Sequence, residues 1–297
     1  MRHRDAFSAY HPLVNLGFFV IVLGCATVTM HPVCLLISLM SGAGYYLRLK
    51  GRRAAALLLR GVLPLILFTA AINPLFSHGG DTVLMYFPSG GALTLESILY
   101  GIAAGTMLGA VLLWFACFSE VMTTDKFLYL FGKMIPSLSL LLSMTLRFVP
   151  RFRAQFTTVR QVQATLGRSS GGGFVRRIRD AVTCFGAVVA WSMENAIETA
   201  DSMKSRGYGT RRRTTYTVYR LTGRDTAALA FLGLVGFFLL AVGLAGGWQW
   251  KYFPAIGGAL AHPLTLVSQA AYLLLCLAPV LLDRGEEAAW KRSASSI

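Results

Sequence analysis

The chain has 297 residues, of which 55% are hydrophobic and 14% are charged, and its net charge is +15. Soluble domains have about 25% charged residues, so this composition excludes an ordinary cytosolic enzyme, a secreted disulfide module and a disordered tail. Several apolar runs have about the 20 residues that a helix needs to cross a bilayer. The sequence therefore predicts an all-α, polytopic membrane protein.

Six apolar runs are candidate transmembrane helices: residues 13–30, 33–47, 57–76, 95–121, 226–246 and 264–282. The loop Arg48–Arg60 is basic, whereas the loop Ser77–Gly91 has no Lys or Arg, and this asymmetry places the first loop in the cytoplasm. If the six spans alternate, both termini are cytoplasmic and Lys251 is the only basic residue outside. The positive charge then indicates contact with the anionic lipid of a bilayer rather than with nucleic acid.

Residues 123–225 separate the first four spans from the last two and hold 17 of the 28 basic residues. We therefore expect three regions: transmembrane helices 1–4 in residues 1–122, cytoplasmic amphipathic helices in 123–225, and the C-terminal transmembrane helices in 226–297. Apolar residues recur at helical spacing from Phe174 to Ser205, which predicts a helix about 48 Å long. It stops at Gly207 and Gly209, which are strong helix-termination signals.

One face of this long helix carries an apolar stripe, formed by Ile178, Val182, Phe185, Val189, Ala196, Ala200 and Met203. Glu194, Glu198 and Asp201 lie on another face. We expect the stripe to pack against a sister helix and against a membrane partner. In the fourth apolar run, Gly101, Gly105 and Gly109 are spaced by four, which favours close approach of a neighbouring helix. Loose packing inside the subunit is the alternative that this spacing leaves open.

Residues for catalysis or cofactor binding are not apparent in the sequence. Gly132-Lys133 is followed by Met134 and lacks the upstream glycine of a phosphate-binding loop. A gradient-driven carrier usually places ionisable groups near the membrane midplane, whereas Glu96 and Glu120 lie at predicted span ends. The histidines are scattered, and the cysteines have no CxxC spacing. We therefore assign no catalytic residue, metal or cofactor, and expect a subunit that does not hydrolyse ATP.

Two predicted cytoplasmic helices end in similar segments. The first ends at Gln163–Arg168, and the second ends at Ala200–Gly209 and is followed by the basic run Arg211–Arg213. Together with Arg60, Leu63-Pro64, Asn73 and the segment Leu146–Pro150, these features resemble the T component of energy-coupling factor (ECF) transporters over nearly the whole chain. That family provides the membrane scaffold of vitamin and transition-metal uptake systems in bacterial cell membranes.

The resemblance implies that two short Arg-containing motifs, typically Ala-Arg-Gly, end two coupling helices that bind a pair of ABC-type ATPases. The second motif matches here as Ser205, Arg206 and Gly207. In the first motif Gly167 aligns with the glycine, but Leu166 stands at the arginine position and Arg168 follows. Either Arg168 replaces the missing arginine, or the chain couples asymmetrically through Arg206. Arg147, Pro150 and Glu198 are expected to support the coupling helices.

The implied function is that of a transmembrane scaffold that transmits the movement of two ATPases to a substrate-binding S component. In this family the S component selects the substrate, so this chain does not reveal it. The last apolar run, 264–282, has no counterpart in the family pattern. Two other classes stay open at this point: a stand-alone secondary carrier or channel, and a membrane anchor for a cytosolic complex.

Overall fold

The computed structural model describes residues 6–77, 79–86, 92–134, 136–166, 173–208, 219–248, 250–254, 256–258 and 262–294. These residues are almost entirely helical, which confirms the all-α class. The elements are α1 Pro12–Val28, α2 Pro32–Lys50, α3 Arg52–Leu57, α4 Leu63–Phe76, β1 Val83–Tyr86, β2 Ala92–Thr94, α5 Leu95–Val121, α6 Thr124–Met134, α7 Pro136–Thr165, α8 Phe174–Ser205, α9 Gly223–Leu244, β3 Trp250–Lys251, β4 Gly257–Gly258 and α10 Pro263–Ala294.

The chain divides into two compact units. Residues 1–127 and 219–297 form the membrane unit, and residues 128–218 form the hairpin unit. Five of the described helical segments, all in the membrane unit, are long and apolar enough to cross a bilayer. Helix α1 covers the remaining predicted span with 17 residues, which is at the lower limit of about 17 for a spanning helix.

The ends of the spans follow from local chemistry. Pro32 starts α2, because a proline at the first helical position lacks only an N–H that has no partner there anyway. Gly51, with φ of 57°, ends α2 and donates its N–H to the Leu47 carbonyl at 2.8 Å. A π-helical turn, Leu58–Val62, joins α3 to α4, so the third span continues from Ala54 to Phe76.

Two short antiparallel hairpins lie in the loops predicted on the outer side. β1 pairs with β2 before α5, and β3 pairs with β4 before α10. At the start of α5, the Thr94 hydroxyl accepts a hydrogen bond from the Ser97 N–H at 3.4 Å, and this bond caps the helix.

Trp114 in α5 is the centre of the membrane unit and is fully buried. Its indole N–H donates to the Ser38 hydroxyl of α2 at 3.0 Å. Its ring lies 5.8 Å from Phe18 of α1 and 6.4 Å from Tyr45 of α2. Because a buried indole needs an acceptor, the Ser38 hydroxyl sets how α2 and α5 face each other.

One face of α5 carries Gly101, Gly105 and Gly109 and is called the glycine face here. It lies against α4 and the π-helical turn before it. A Cβ atom on Gly101 would be 2.9 Å from the Asn73 Cβ, and one on Gly105 would be 2.9 Å from the Ile66 Cα. On Gly109 a Cβ would be 2.7 Å from a side-chain carbon of Val62. The predicted close approach of a neighbouring helix is confirmed, and that helix belongs to the same subunit.

The hairpin unit contains two long antiparallel helices, α7 and α8. Helix α8 runs from Phe174 to Ser205, as the sequence predicts. Helix α7 has 30 residues and includes Pro150 in its interior, where the proline ring nitrogen cannot donate to the Leu146 carbonyl.

Helix α8 packs on α7 with a different face from the one that we predicted. Cys184 and Val188 are 4% and 8% exposed, and the half-buried Trp191, Asn195 and Thr199 continue that face at spacings of three and four. On the predicted stripe, Val182 and Phe185 are 64% and 63% exposed. The prediction that the stripe packs against the sister helix is therefore wrong. Apolar periodicity identifies a hydrophobic face of a helix. Which face packs against α7 depends also on the side chains of α7.

The close packing of the glycine face predicts that a larger side chain there lowers the stability of the membrane unit. Gly105→Ala would place a methyl group against Ile66 and the Thr69 hydroxyl, and we expect it to destabilise the membrane unit by about 1–3 kcal/mol. Gly44→Ala is the matched control, because a Cβ there meets nothing within 4 Å. Thermal unfolding of the purified full-length protein in detergent measures both variants, and equal midpoints would contradict the close packing of α4 on α5.

The packing face of α8 predicts that an Asp substitution has different effects on stability at two valines. Val188→Asp places a carboxylate between α7 and α8, and we expect destabilisation of the hairpin unit by about 2–3 kcal/mol. Val182→Asp places the same group on the exposed stripe and should leave the isolated protein unchanged. Limited trypsin digestion reports the difference, with cleavage in α7 and α8 about tenfold or more faster for Val188→Asp. Equal cleavage of the two variants would show that we have assigned the wrong face.

Candidate functional site

The end of α8 is closed by a glycine cap that fixes the position of Arg206. Gly207 has φ of 77° and donates its N–H to the Lys204 carbonyl at 3.0 Å. The N–H of Tyr208 donates to the Met203 carbonyl at 3.1 Å. These two bonds form a Schellman motif, which requires a left-handed conformation that glycine adopts without strain. The predicted helix stop at Gly207 is confirmed.

A pocket of about 410 Å³ lies beside this cap, between α7 and α8. Arg147 and Arg151 of α7 line it, as do Glu198 of α8 and Arg206, which directly follows α8. Met203 and Tyr208 contribute apolar surface where the cap closes. The structure thus brings together three of the predicted site residues, Arg147, Glu198 and Arg206, from two different helices.

The pocket carries an excess of positive charge, with three guanidinium groups against one carboxylate. Within residues 136–166 and 173–208, no ion pair of 4.0 Å or less joins Glu198 to any of these three arginines. A guanidinium presents two parallel N–H groups that match the two oxygens of a carboxylate. The pocket is therefore suited to an acidic side chain from outside this chain.

Aromatic contacts hold α7 against α8 next to the pocket. The rings of Phe148 and Phe152 stack at 5.8 Å with an interplanar angle of 11°, and Phe152 meets the edge of Trp191 at 6.2 Å. The guanidinium carbon of Arg151 lies 5.9 Å from the centre of the Trp191 ring. The contacts of Trp191 with Phe152 and Arg151 thus join α8 to α7 beside the pocket.

Sequence reasoning missed Arg151 and Trp191. Arg151 follows Arg147 by four residues, so the two lie on one face of a helix, and this spacing is a signal that could have identified it. Trp191 could not be identified in this way, because its role depends on the rings that α7 places opposite it.

The other predicted site residues that the structure describes, Pro150, Ser205 and Gly207, do not line this pocket. The Ser205 hydroxyl donates to the Ser202 carbonyl of its own helix at 2.8 Å. Pro150 is exposed within α7. Gly167 and Arg168 lie outside the described residues, as does the basic run 211–213.

Metal-binding chemistry is not evident in the described part of the chain, where no group of three or more His, Cys, Asp or Glu side chains is placed to hold a metal ion. His31, in the turn between α1 and α2, is buried, and burial lowers its pKa. Its Nδ1 atom lies 3.3 Å from the Gln269 Nε2 atom, so the ring makes a polar contact between this turn and α10.

The sequence of this chain matches a known family model. The family model described as cobalt transport protein, CbiQ, matches residues 8–217, which is more than half of the chain. The match ends before α9, so it is shorter than the resemblance over nearly the whole chain that the sequence motifs suggested.

Several curated relatives are named as transmembrane proteins of energy-coupling factor transporters. A protein of Lacticaseibacillus paracasei named energy-coupling factor transporter transmembrane protein EcfT is 30% identical over 196 residues, 61% of this chain and 74% of its own. The protein of the same name from Staphylococcus aureus is 24% identical over 208 residues, 64% of this chain and 75% of its own. The one from Lactobacillus helveticus is 31% identical over 118 residues, 39% of this chain, and the alignment spans 43% of that relative's length.

Proposed function

Because this chain belongs to the cobalt transport protein family CbiQ, we propose that it is the transmembrane coupling subunit of an ECF transporter. Its proposed partners are two ABC-type ATPases, a substrate-binding S component and the lipid bilayer. The observation that carries this proposal is the pocket at the end of α8, where a glycine cap holds Arg206 beside Arg147 with an excess of positive charge.

Helix α8 is proposed to act as a rigid rod between an ATPase and the membrane partner. It has 32 residues, so it is about 48 Å long. An acidic side chain of the ATPase would bind Arg206 through two hydrogen bonds, and its displacement would then move α8 as a unit with α7. No step of ATP hydrolysis is assigned to this chain, because its sequence has no phosphate-binding loop.

The exposed apolar stripe of α8 is proposed as the contact for the S component. Ile178, Val182 and Phe185 are each close to half exposed or more, and they lie on a face that α7 does not cover. An apolar stripe of this kind is a typical surface for another apolar helix. A subunit that is itself embedded in the membrane could supply such a helix.

The acidic groups at the starts of two spans favour a coupling subunit over a stand-alone carrier. Glu96, at the start of α5, accepts a hydrogen bond from the Thr82 N–H at 3.2 Å. Asp225, at the start of α9, accepts one from the Thr222 N–H at 3.0 Å. Both carboxylates are engaged at helix ends, whereas a carrier places such groups near the midplane.

For localisation we propose the bacterial cell membrane, with several spans and with both termini in the cytoplasm. The basic loop after α2 and the arginines of α7 and α8 then lie on the cytoplasmic side, where anionic lipid and the ATPases are available.

Removal of the Arg206 guanidinium group is the central test of this function. Arg206→Ala should weaken binding of the ATPases by about 2–5 kcal/mol and stop uptake, because carboxylates of the partner lose their counter-charge. Arg206→Lys should restore binding only in part, since an ammonium group lacks the planar fork. Co-purification of the ATPases with the full-length chain, together with whole-cell uptake, measures both effects.

Lys204→Ala is the matched control, because Lys204 is an exposed cation in the same helical turn that does not line the pocket. Arg168→Ala should have a smaller effect than Arg206→Ala, since its position departs from the family motif. Normal assembly and uptake of Arg206→Ala would contradict the proposed coupling function at this end of α8.

The proposed orientation is tested by labelling introduced cysteines with a reagent that cannot cross the membrane. In a variant without native cysteines, Ser77→Cys should react in intact cells. Thr158→Cys, on an exposed position of α7, should react only after the membrane is opened. Labelling of Thr158→Cys in intact cells would reverse the orientation.

A further inference from the structure

The chain passes between the membrane unit and the hairpin unit at two points, after Phe127 and before Tyr219. Within the membrane unit, residues beside both points contact the same short stretch, Phe7–His11, which is called segment 7–11 here. It begins with a 3-10 turn, Phe7–Ala9, and leads directly into α1. The contacts of this segment therefore bear on how the membrane unit holds the chain on either side of the coupling helices.

At the first connection, Lys126 of α6 is only 5% exposed. Its Nζ atom donates to the Ser8 carbonyl at 2.6 Å and to the Val121 carbonyl, at the end of α5, at 3.0 Å. The Ser8 hydroxyl lies 3.2 Å from the same atom. The Asn15 amide of α1, when its nitrogen donates to the Phe7 carbonyl, places its oxygen 2.9 Å from Nζ. One buried ammonium group thus joins α6 to segment 7–11, α1 and α5.

The oxygen atoms around Lys126 do more than cap α5. A cation at the end of a helix interacts favourably with the last carbonyls, and for that purpose an exposed lysine near Val121 would be sufficient. A buried charge costs free energy unless its hydrogen bonds are satisfied. The ammonium group has three N–H donors, and the oxygens of Ser8, Val121 and Asn15 can accept all three. Burial of Lys126 therefore depends on segment 7–11 staying in place.

At the second connection, segment 7–11 is bound again. The His11 N–H donates to Asp225 Oδ1 at 3.1 Å, and Asp225 is buried at the start of α9. The Tyr219 ring meets the His11 ring edge-on, with ring centres 6.4 Å apart. The guanidinium carbon of Arg224 lies 4.4 Å from the centre of the Tyr10 ring, within the range of a cation–π interaction. Both connections are therefore attached to the same segment.

Segment 7–11 also reaches the core of the membrane unit. Phe7 is buried, and its ring centre lies 5.0 Å from that of Phe18 in α1. The Phe18 ring lies in turn 5.8 Å from Trp114, the centre of this unit. A close-packed core has little free space, so one ring cannot shift without its neighbours. Displacement of the segment would therefore move α1 and the rings that pack on Trp114.

We propose that segment 7–11 is the joint through which movement of the coupling helices reaches the membrane unit, and that Lys126 is the positioning residue that ties α6 to it. Without the ammonium group, α6 would stay covalently connected but could move without carrying the segment. This inference rests on the proposed function, because it starts from movement of α7 and α8 by the ATPases.

The test measures amide hydrogen exchange in the full-length chain, co-purified with the ATPases of its own organism, with and without a non-hydrolysable ATP analogue. Lys126→Met removes the ammonium group and keeps an unbranched side chain, whereas Lys126→Arg keeps a cationic donor. Lys251→Met is the matched control, because Lys251 is an exposed lysine of the membrane unit. Asn15→Ala removes one acceptor of Lys126 and serves as the second variant if Lys126→Met does not assemble.

In the unmodified complex and in Lys251→Met, we expect the analogue to change the exchange rates in both α8 and segment 7–11 by about tenfold. In Lys126→Met the change should persist in α8 but fall to less than about twofold in the segment, because the hydrogen bonds of a charged group are lost. Lys126→Arg should restore part of the change, and Asn15→Ala should reduce it less than Lys126→Met. A variant that is merely less stable would exchange faster in both states and keep the difference between them.

Different failures have different meanings. If the analogue changes exchange in α8 but not in segment 7–11 of the unmodified complex, the joint is overturned and the proposed function stands, whether or not any variant folds. If Lys126→Met or Asn15→Ala keeps the full change in the segment, Lys126 only caps α5 and its positioning role is wrong. If the ATPases do not co-purify with the unmodified chain, or the analogue changes no part of α7 and α8, the proposed function fails as well.

Discussion

The cost of placing a guanidinium group in hydrocarbon determines how this chain divides. On insertion scales one arginine at the centre of a spanning helix costs about 2.5–3.5 kcal/mol. Helices α5 and α7 have similar lengths, 27 and 30 residues, but α5 has no Lys or Arg, whereas Arg147, Arg151, Arg153 and Arg160 lie within α7. Because these four arginines extend over about 20 Å of the helix, a spanning α7 would place at least one of them deep in hydrocarbon. Helix α5 is long and apolar enough to cross the bilayer, whereas α7 belongs to a separate unit.

Helices α7 and α8 bury one face against each other. The contact is made by aromatic rings and small side chains, with Trp191 against Phe152 and with Val188 and Cys184 buried between the helices. The guanidinium groups of Arg147, Arg151 and Arg206 lie at the edges of this contact and are exposed. The charged pocket beside the end of α8 thus lies next to an apolar contact between the two helices.

Glycine has two different physical functions in this chain. In the membrane unit, Gly105 lacks a Cβ atom and lets α4 approach closely, which matters because lipid tails do not drive helices together by hydrophobic burial. In the hairpin unit, Gly207 adopts a positive φ and closes the cap that holds Arg206. The first glycine stabilises packing, and the second positions a group that is proposed to bind a partner.

The sequence by itself determined the spans, the bounds of α8, the stop at Gly207 and the glycine face of α5. These features depend on local properties, namely the number of uncharged residues, the helical repeat and the backbone freedom of glycine. The tertiary structure decided which face of α8 packs and brought Arg147 into one pocket with Glu198 and Arg206. Sequence spacing could not supply these results, because the residues lie on two helices and meet only after the chain has reversed direction between them.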